Sequence, residues 1–157
     1  MLFYYSRMNV CMNEKEELLK VGKYNPKFNE VLGIKIEELE IYRSKGLPSH
    51  MVKRKHFKCL KYIDYIPDII LEPDYIGINP NEQDTSIELV KKYADNVMIG
   101  IKLDTDGKYL YVSTMHDIQE SKISRRLYSG RLKEFSSEIQ KDTLNDTEKS
   151  IDNTEKQ

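Results

Sequence analysis

Two of the three histidines, His50 and His56, sit in Ser49-His50-Met51-Val52-Lys53-Arg54-Lys55-His56, interleaved with three bases. On a helix, His50, Lys53 and Arg54 fall at i, i+3 and i+4, so the spacing predicts one shared face with His56 at its border. Histidine is the side chain whose ordinary pKa lets it exchange protons near neutrality. Lysine and arginine beside it supply positive charge where a phosphate oxyanion builds up. Attack of a ribose 2′-OH on its neighbouring phosphate needs those parts: a base, an acid and a stabiliser of the phosphorane. The competing reading is a surface helix on which the histidines are incidental.

Ser113-Thr114-Met115-His116 ends the strongest expected strand. A hydroxyl and a histidine at a strand end suit phosphate binding. Strict alternation puts Ser113 and Thr114 on opposite faces, so only one of them is expected to look into a cleft. The alternative is a polar strand end that caps the next helix. A third group, Lys122, Arg125, Arg126, Tyr128 and Arg131, lies on the expected final helix. There Lys122, Arg125 and Arg126 share a face suited to phosphate contacts, and Tyr128 can stack on a base. A solvated helix face is the alternative for this group as well.

Other chemistries lack their parts. The Asp104-Thr105-Asp106-Gly107 stretch has no further ligands in register for a calcium loop, and the histidines and two cysteines show no zinc spacing. No glycine-rich phosphate loop and no GxSxG elbow occurs. We therefore expect no metal and no cofactor.

The elements that must position these residues can be read from composition and pattern. The chain has 157 residues, 25 Lys+Arg against 26 Asp+Glu, and a formal net charge of −1. A length of this order favours one domain with a real core. No apolar run reaches the roughly 18 residues of a membrane span, the first residues make a poor signal peptide, and Cys11 and Cys59 give no disulfide framework. A cytoplasmic location is expected.

The near-neutral total hides an uneven distribution. Residues 133–157 hold seven acids and four bases, a polar stretch expected to be a disordered tail. Residues 1–132 then hold 21 bases and 19 acids. Seven of these bases fall between Arg43 and Lys61, and five more bases lie between Ser121 and Lys133, with no acid in either segment. Any nucleic-acid contact is expected to be local to those two segments.

Glu14–Val21 reads as a short helix. Asn25-Pro26 and Gly33 bracket a second helix. Leu39–Tyr42 is an extended segment. From Pro48 one helix is expected through HMVKRKHF and CLKYIDYI, kinked or restarted at Pro67 and ended by Pro73. Tyr75–Asn79, Thr85–Tyr93 and Asn96–Leu103 read as strands, and Asp106-Gly107 marks a tight hairpin to YLYVSTM. A final helix is expected from Asp117 through Leu132, with Ile123, Leu127 and Leu132 as its apolar stripe. The order implies an α+β architecture: N-terminal helices packed on a four-stranded antiparallel sheet, with a C-terminal helix.

The segments IYRSKGLPSHMVKRKHF, IPDIILEPDYIG, VSTMHDI and SKISRRLYSGRL, in that order and spacing, resemble the phage-associated branch of the barnase–EndoU–colicin–RelE-like (BECR) nucleases. The marks are Ser44 in the lead-in, the His50-x5-His56 helix, the EPDYI turn and the STM strand end. The resemblance spans about Val21 to Leu132. It divides the chain into an extension (1–20), a BECR-like nuclease domain (21–132) and a tail (133–157). It implies metal-independent RNA cleavage, with RNA as partner and an inhibitor, immunity or antitoxin protein as a second one. The alternative is an inactive RNA-binding or protein-interaction module of the same fold.

These nucleases exchange catalytic residues between branches, so roles are assigned from the residues themselves. His50, His56, Lys53, Arg54 and Thr114 are expected to carry catalysis. Ser44, Ser113, His116, Lys122, Arg125, Arg126 and Tyr128 are expected to bind substrate. An aromatic residue is expected in the family where His116 stands, which assigns this histidine to binding rather than to proton transfer.

Overall fold

The computed structural model describes residues 17–136. Among them seven strands form one sheet in the order β1-β2-β6-β5-β4-β3-β7. The strands are β1 (Leu18–Lys23), β2 (Glu40–Ser44), β3 (Tyr75–Ile78), β4 (Ser86–Lys92), β5 (Asn96–Leu103), β6 (Leu110–Asp117) and β7 (Leu132–Glu134). The helices are α1 (Lys27–Leu32), α2 (Leu47–Lys53), α3 (Ile66–Leu71) and α4 (Glu120–Ser129), with a 3-10 helix over Phe57–Tyr65. Within these residues no helix is long and apolar enough to cross a membrane.

The α+β class is as expected; the four-stranded antiparallel sheet is not. The four expected strands are β3 to β6. Three further strands, β1, β2 and β7, enlarge them. Leu18–Lys23, which overlaps the expected helix from Leu18 to Val21, pairs antiparallel with β2, and β2 joins the sheet through a parallel pairing with β6 (Ile41 opposite Leu110, Tyr42 opposite Tyr111). Glu14, Lys15 and Glu16 of that expected helix lie outside the described residues. A six-residue segment has too little helix propensity of its own to resist a ready sheet edge. At the other end the chain leaves α4 at Gly130, whose φ is 84°, and Leu132 enters β7 instead of extending the helix. The sheet therefore runs past both expected domain boundaries. Lys133 and Glu134 belong to β7 and Phe135 is buried, while residues 137–157 lie outside the described region.

Period-two alternation builds a layer on each face of the sheet. Ile87, Leu89, Val97, Ile99, Ile101, Leu110, Val112 and Met115 face a large core closed by Phe28 of α1, Met51 of α2 and Ile66, Ile69 and Ile70 of α3. On the opposite face, Val90 and Met98 meet Ile118, Ile123 of α4 and Leu132 in a smaller core. The N-terminal helices and α4 thus cover opposite faces, and α4 covers only part of its own.

The long helix expected after Pro48 stops at Lys53. Lys55 adopts a left-handed φ of 60°. Its N–H donates to the Val52 carbonyl, and the His56 N–H donates to the Met51 carbonyl at 2.8 Å. This is the hydrogen-bond pattern of a glycine helix stop, here with lysine in glycine's place. The chain restarts as the 3-10 helix and again as α3, where Pro67 occupies the first turn.

Candidate active site: a cationic cleft on the α4 face of the sheet

Three rows of side chains run across this face beside and beneath α4. Register places Glu88 of β4 opposite Gly100 of β5, and Gly100 opposite Thr114 of β6. The next row is Val90, Met98 and His116; on the other side Ser86 pairs with Lys102. A Cβ on Gly100 would approach the Thr114 methyl to 2.8 Å, with the Ser113 and Ser86 hydroxyls close by. The glycine thus opens a depression between a carboxylate and a hydroxyl. Closed on one side by α4 and Arg131, it forms a cleft of about 270 Å³.

A β-bulge places two hydroxyls in this cleft. Ile101 pairs with Val112 and Gly100 with Thr114, so Ser113 is the extra residue of β6. Alternation is broken there, and Ser113 and Thr114 both line the cleft, against the expectation that only one of them does so. The Ser113 hydroxyl donates to the Gly100 carbonyl at 3.2 Å.

The charge is organised around Glu88, whose side chain is 2% exposed. Arg126 Nη1 donates to its Oε2 at 3.0 Å, and Arg131 Nε donates to its Oε1 at 2.7 Å. Arg126 also lies 3.4 Å from Met98 Sδ. Burial lowers the pKa of the Arg126 guanidinium, against the raising influence of Glu88. Lys102 pairs with Glu82 at 3.0 Å, and among the described residues no salt bridge engages Lys122. Four bases (Lys102, Lys122, Arg126, Arg131) against two acids (Glu82, Glu88) leave the lining at +2, before His116 is counted.

His116 is half-buried, and its Nδ1 lies 2.8 Å from the Asp117 carbonyl oxygen. A carbonyl only accepts, so the Nδ1 proton is held there and Nε2 keeps its lone pair. Burial pushes this imidazole below the ordinary histidine range, and His56 and Arg126 push the same way; the Asp117 carbonyl opposes them. A neutral histidine with a free Nε2 is a competent base near pH 7. The His56 ring stands against it, with centroids 5.4 Å apart.

Of the residues singled out from the sequence, Ser113, Thr114, His116, Lys122, Arg126 and Arg131 come together in this cleft, and the His56 ring stands against that of His116. His50, Lys53 and Arg54 do not line it. His50 and Lys53 are exposed on α2, whose buried residues Leu47 and Met51 face the opposite core, and Arg54 is exposed at its end. The placing of His56 at the border of their face assumed one continuous helix, which the turn at Lys55 interrupts. Arg125 and Tyr128 point away from the cleft on α4, Tyr128 being 97% exposed. The Ser44 hydroxyl accepts from the Gly46 N–H at 3.0 Å and shapes the turn into α2. Sequence reasoning missed Glu88. Its signal was a lone carboxylate inside the apolar run Ile87–Val90, which needs buried counter-charges wherever that strand is covered.

A positively charged cleft holding a histidine and two hydroxyls has the parts that phosphoester chemistry uses. Residues 19–125 match the model of the phage-Barnase-EndoU-ColicinE5/D-RelE like nuclease3 family, and the chain belongs to that family. The match includes Glu88, Gly100, Thr114, His116 and Lys122 and stops one residue before Arg126. No curated protein and no solved structure matches the chain.

Proposed function

We infer that this chain is a metal-independent endoribonuclease, toxin-like and tied to a phage or other mobile element, which cuts RNA to a 2′,3′-cyclic phosphate. His116 Nε2 takes the proton of the 2′-OH, and the 2′-oxygen bonds to phosphorus as the P–O5′ bond breaks. The leaving 5′-oxygen takes a proton from His56, whose ring stands against that of His116. Each arginine offers five N–H donors and Glu88 engages one nitrogen of each, so donors remain for the phosphorane oxygens. Lys122 and Thr114 hold the scissile phosphate, and Ser113 fixes the bulge that presents Thr114. His50, Lys53 and Arg54 carry no step in this scheme.

The observation that carries the reading is His116, its Nδ1 held by the Asp117 carbonyl, in one cleft with Thr114 and the arginine pair on a nuclease-family sheet. The test is cleavage of an RNA oligonucleotide by the purified chain in EDTA, with the product ends identified. Cyclic phosphate is expected. Activity abolished by EDTA would overturn the metal-free scheme. Salt-sensitive RNA binding without products would favour the inactive module of the same fold.

A further inference from the structure

We propose that the corner between α2 and the 3-10 helix is a second RNA subsite, which holds a single-stranded segment flanking the phosphate in the cleft. The proposal rests on the cleft as the reaction centre and adds the path of the substrate beyond it.

Lys53, Arg54, Lys55 and Lys58 are all exposed here. Among the described residues their side chains make no salt bridge; the pairs that do form lie elsewhere, as at Lys61 with Asp95. Cations left in water on one small surface are available for phosphates, and each such contact releases condensed counterions. Phe57, between Lys55 and Lys58 in the chain, is 56% exposed, and Val52 on α2 is 45% exposed. Exposed aromatic rings set among unpaired cations are the parts with which proteins hold single strands: bases stack on the ring while the backbone follows the charge.

The patch is continuous with the cleft. Phe57 follows His56, whose ring lies 5.4 Å from that of cleft-lining His116. The left-handed turn at Lys55 redirects the chain here, so the cations do not continue along one helix away from the site. Beyond its two-residue pairing with β2, β6 has an edge without a strand partner, and the 3-10 helix packs against β6 there. A strand leaving the cleft past His116 therefore meets His56 and then the Phe57 ring.

The test compares a cleavable dinucleotide, which reaches only the cleft, with a twelve-nucleotide RNA and its non-cleavable 2′-O-methyl analogue. The wild-type chain is expected to prefer the longer RNA. Phe57→Ala should reduce affinity for the analogue and the long-over-short preference about ten-fold, with recovery in Phe57→Tyr. Lys55→Asn combined with Lys58→Gln should lower the salt slope of binding by about 1.4, two contacts at roughly 0.7 each. Asparagine tolerates the left-handed backbone at position 55. Lys27→Gln, an exposed change on α1, controls for net charge.

Unchanged affinity and slope in these variants, with dinucleotide cleavage intact, would overturn the subsite and leave the nuclease reading standing. Analogue binding that depends on Phe57 without any cleavage would support the subsite and remove the catalytic scheme. If the chain binds neither RNA, the subsite is overturned, and an acidic protein becomes the reading for this patch.

Discussion

Between Ser121 and Lys133 the key bases are drawn inward, where Arg126 and Arg131 close on the buried carboxylate of Glu88. Between Arg43 and Lys61 most remain outside: Lys53, Arg54, Lys55 and Lys58 stand in solvent around an exposed Phe57. In one dimension the two segments look alike, both rich in bases and free of acids. They differ in what faces them. A carboxylate from a central strand turns two arginines into fixed parts of a site, because a buried charge must be paired and a paired one is held in place. Without such a partner the other segment keeps its cations hydrated and adaptable, which suits contact with a flexible polyanion.

That contrast can be broken most severely at its centre. Glu88→Ala leaves two largely buried guanidinium groups facing each other and should cost about 3–5 kcal/mol, read by urea denaturation. Lys53→Ala in the outer segment should stay within about 0.5 kcal/mol. Equal losses would mean that the two segments are not used differently.

Next in size is the catalytic contrast. His116→Ala should lower RNA cleavage by about 10²-fold or more, the scale of removing a general base. His50→Ala, on the outer segment, should leave the rate of dinucleotide cleavage near that of the wild type. A 10²-fold loss from His50→Ala with the fold intact would move the reaction centre to α2.

Gly100→Ala sharpens the account of the cleft floor. The added methyl meets Thr114 at 2.8 Å and should cost about 1–3 kcal/mol by overpacking, with a loss of activity, seen in the melting temperature and the cleavage rate. Lys55→Gly relieves a left-handed lysine and should stabilise the fold by about 1 kcal/mol in the same denaturation assay.

The smallest expected effect is with pH. The His116 pKa is lowered by burial, so the folded chain takes up its proton at lower pH than the unfolded chain, which protonates near pH 6.5. The contribution is complete above about pH 6.5 and is lost as pH falls toward and through the folded value. The acid limb of the rate profile should likewise lie below 6.5, with His116 titrating there by NMR. A limb above 7 would contradict a buried, neutral base.

Local features were legible where one residue type forces a conformation. Asp106-Gly107 makes the hairpin, with Gly107 at φ 69°, and Gly33 stops α1 at φ 68°. Ile123 and Leu127 give α4 its apolar side. The end of α2 could not be read, because lysine sits where glycine normally signals a stop. The bulge at Ser113 carried one faint sign, a glycine inside the facing strand. The strand at Leu18–Lys23 had none, because its pairing with β2 outweighs any preference within six residues.

The sequence by itself determined that the chain is an α+β member of a nuclease family, and that its bases gather in two acid-free segments, one of which holds Arg126. Only the tertiary structure decided which bases build a cleft and which stay in solvent. It also decided that His116, rather than His50, stands beside the arginine pair. The physical reason is that burial and pairing arise between strands distant in sequence: Glu88, Gly100 and Thr114 form one row only when β4, β5 and β6 are in register. Spacing along one helix says nothing about the element across from it.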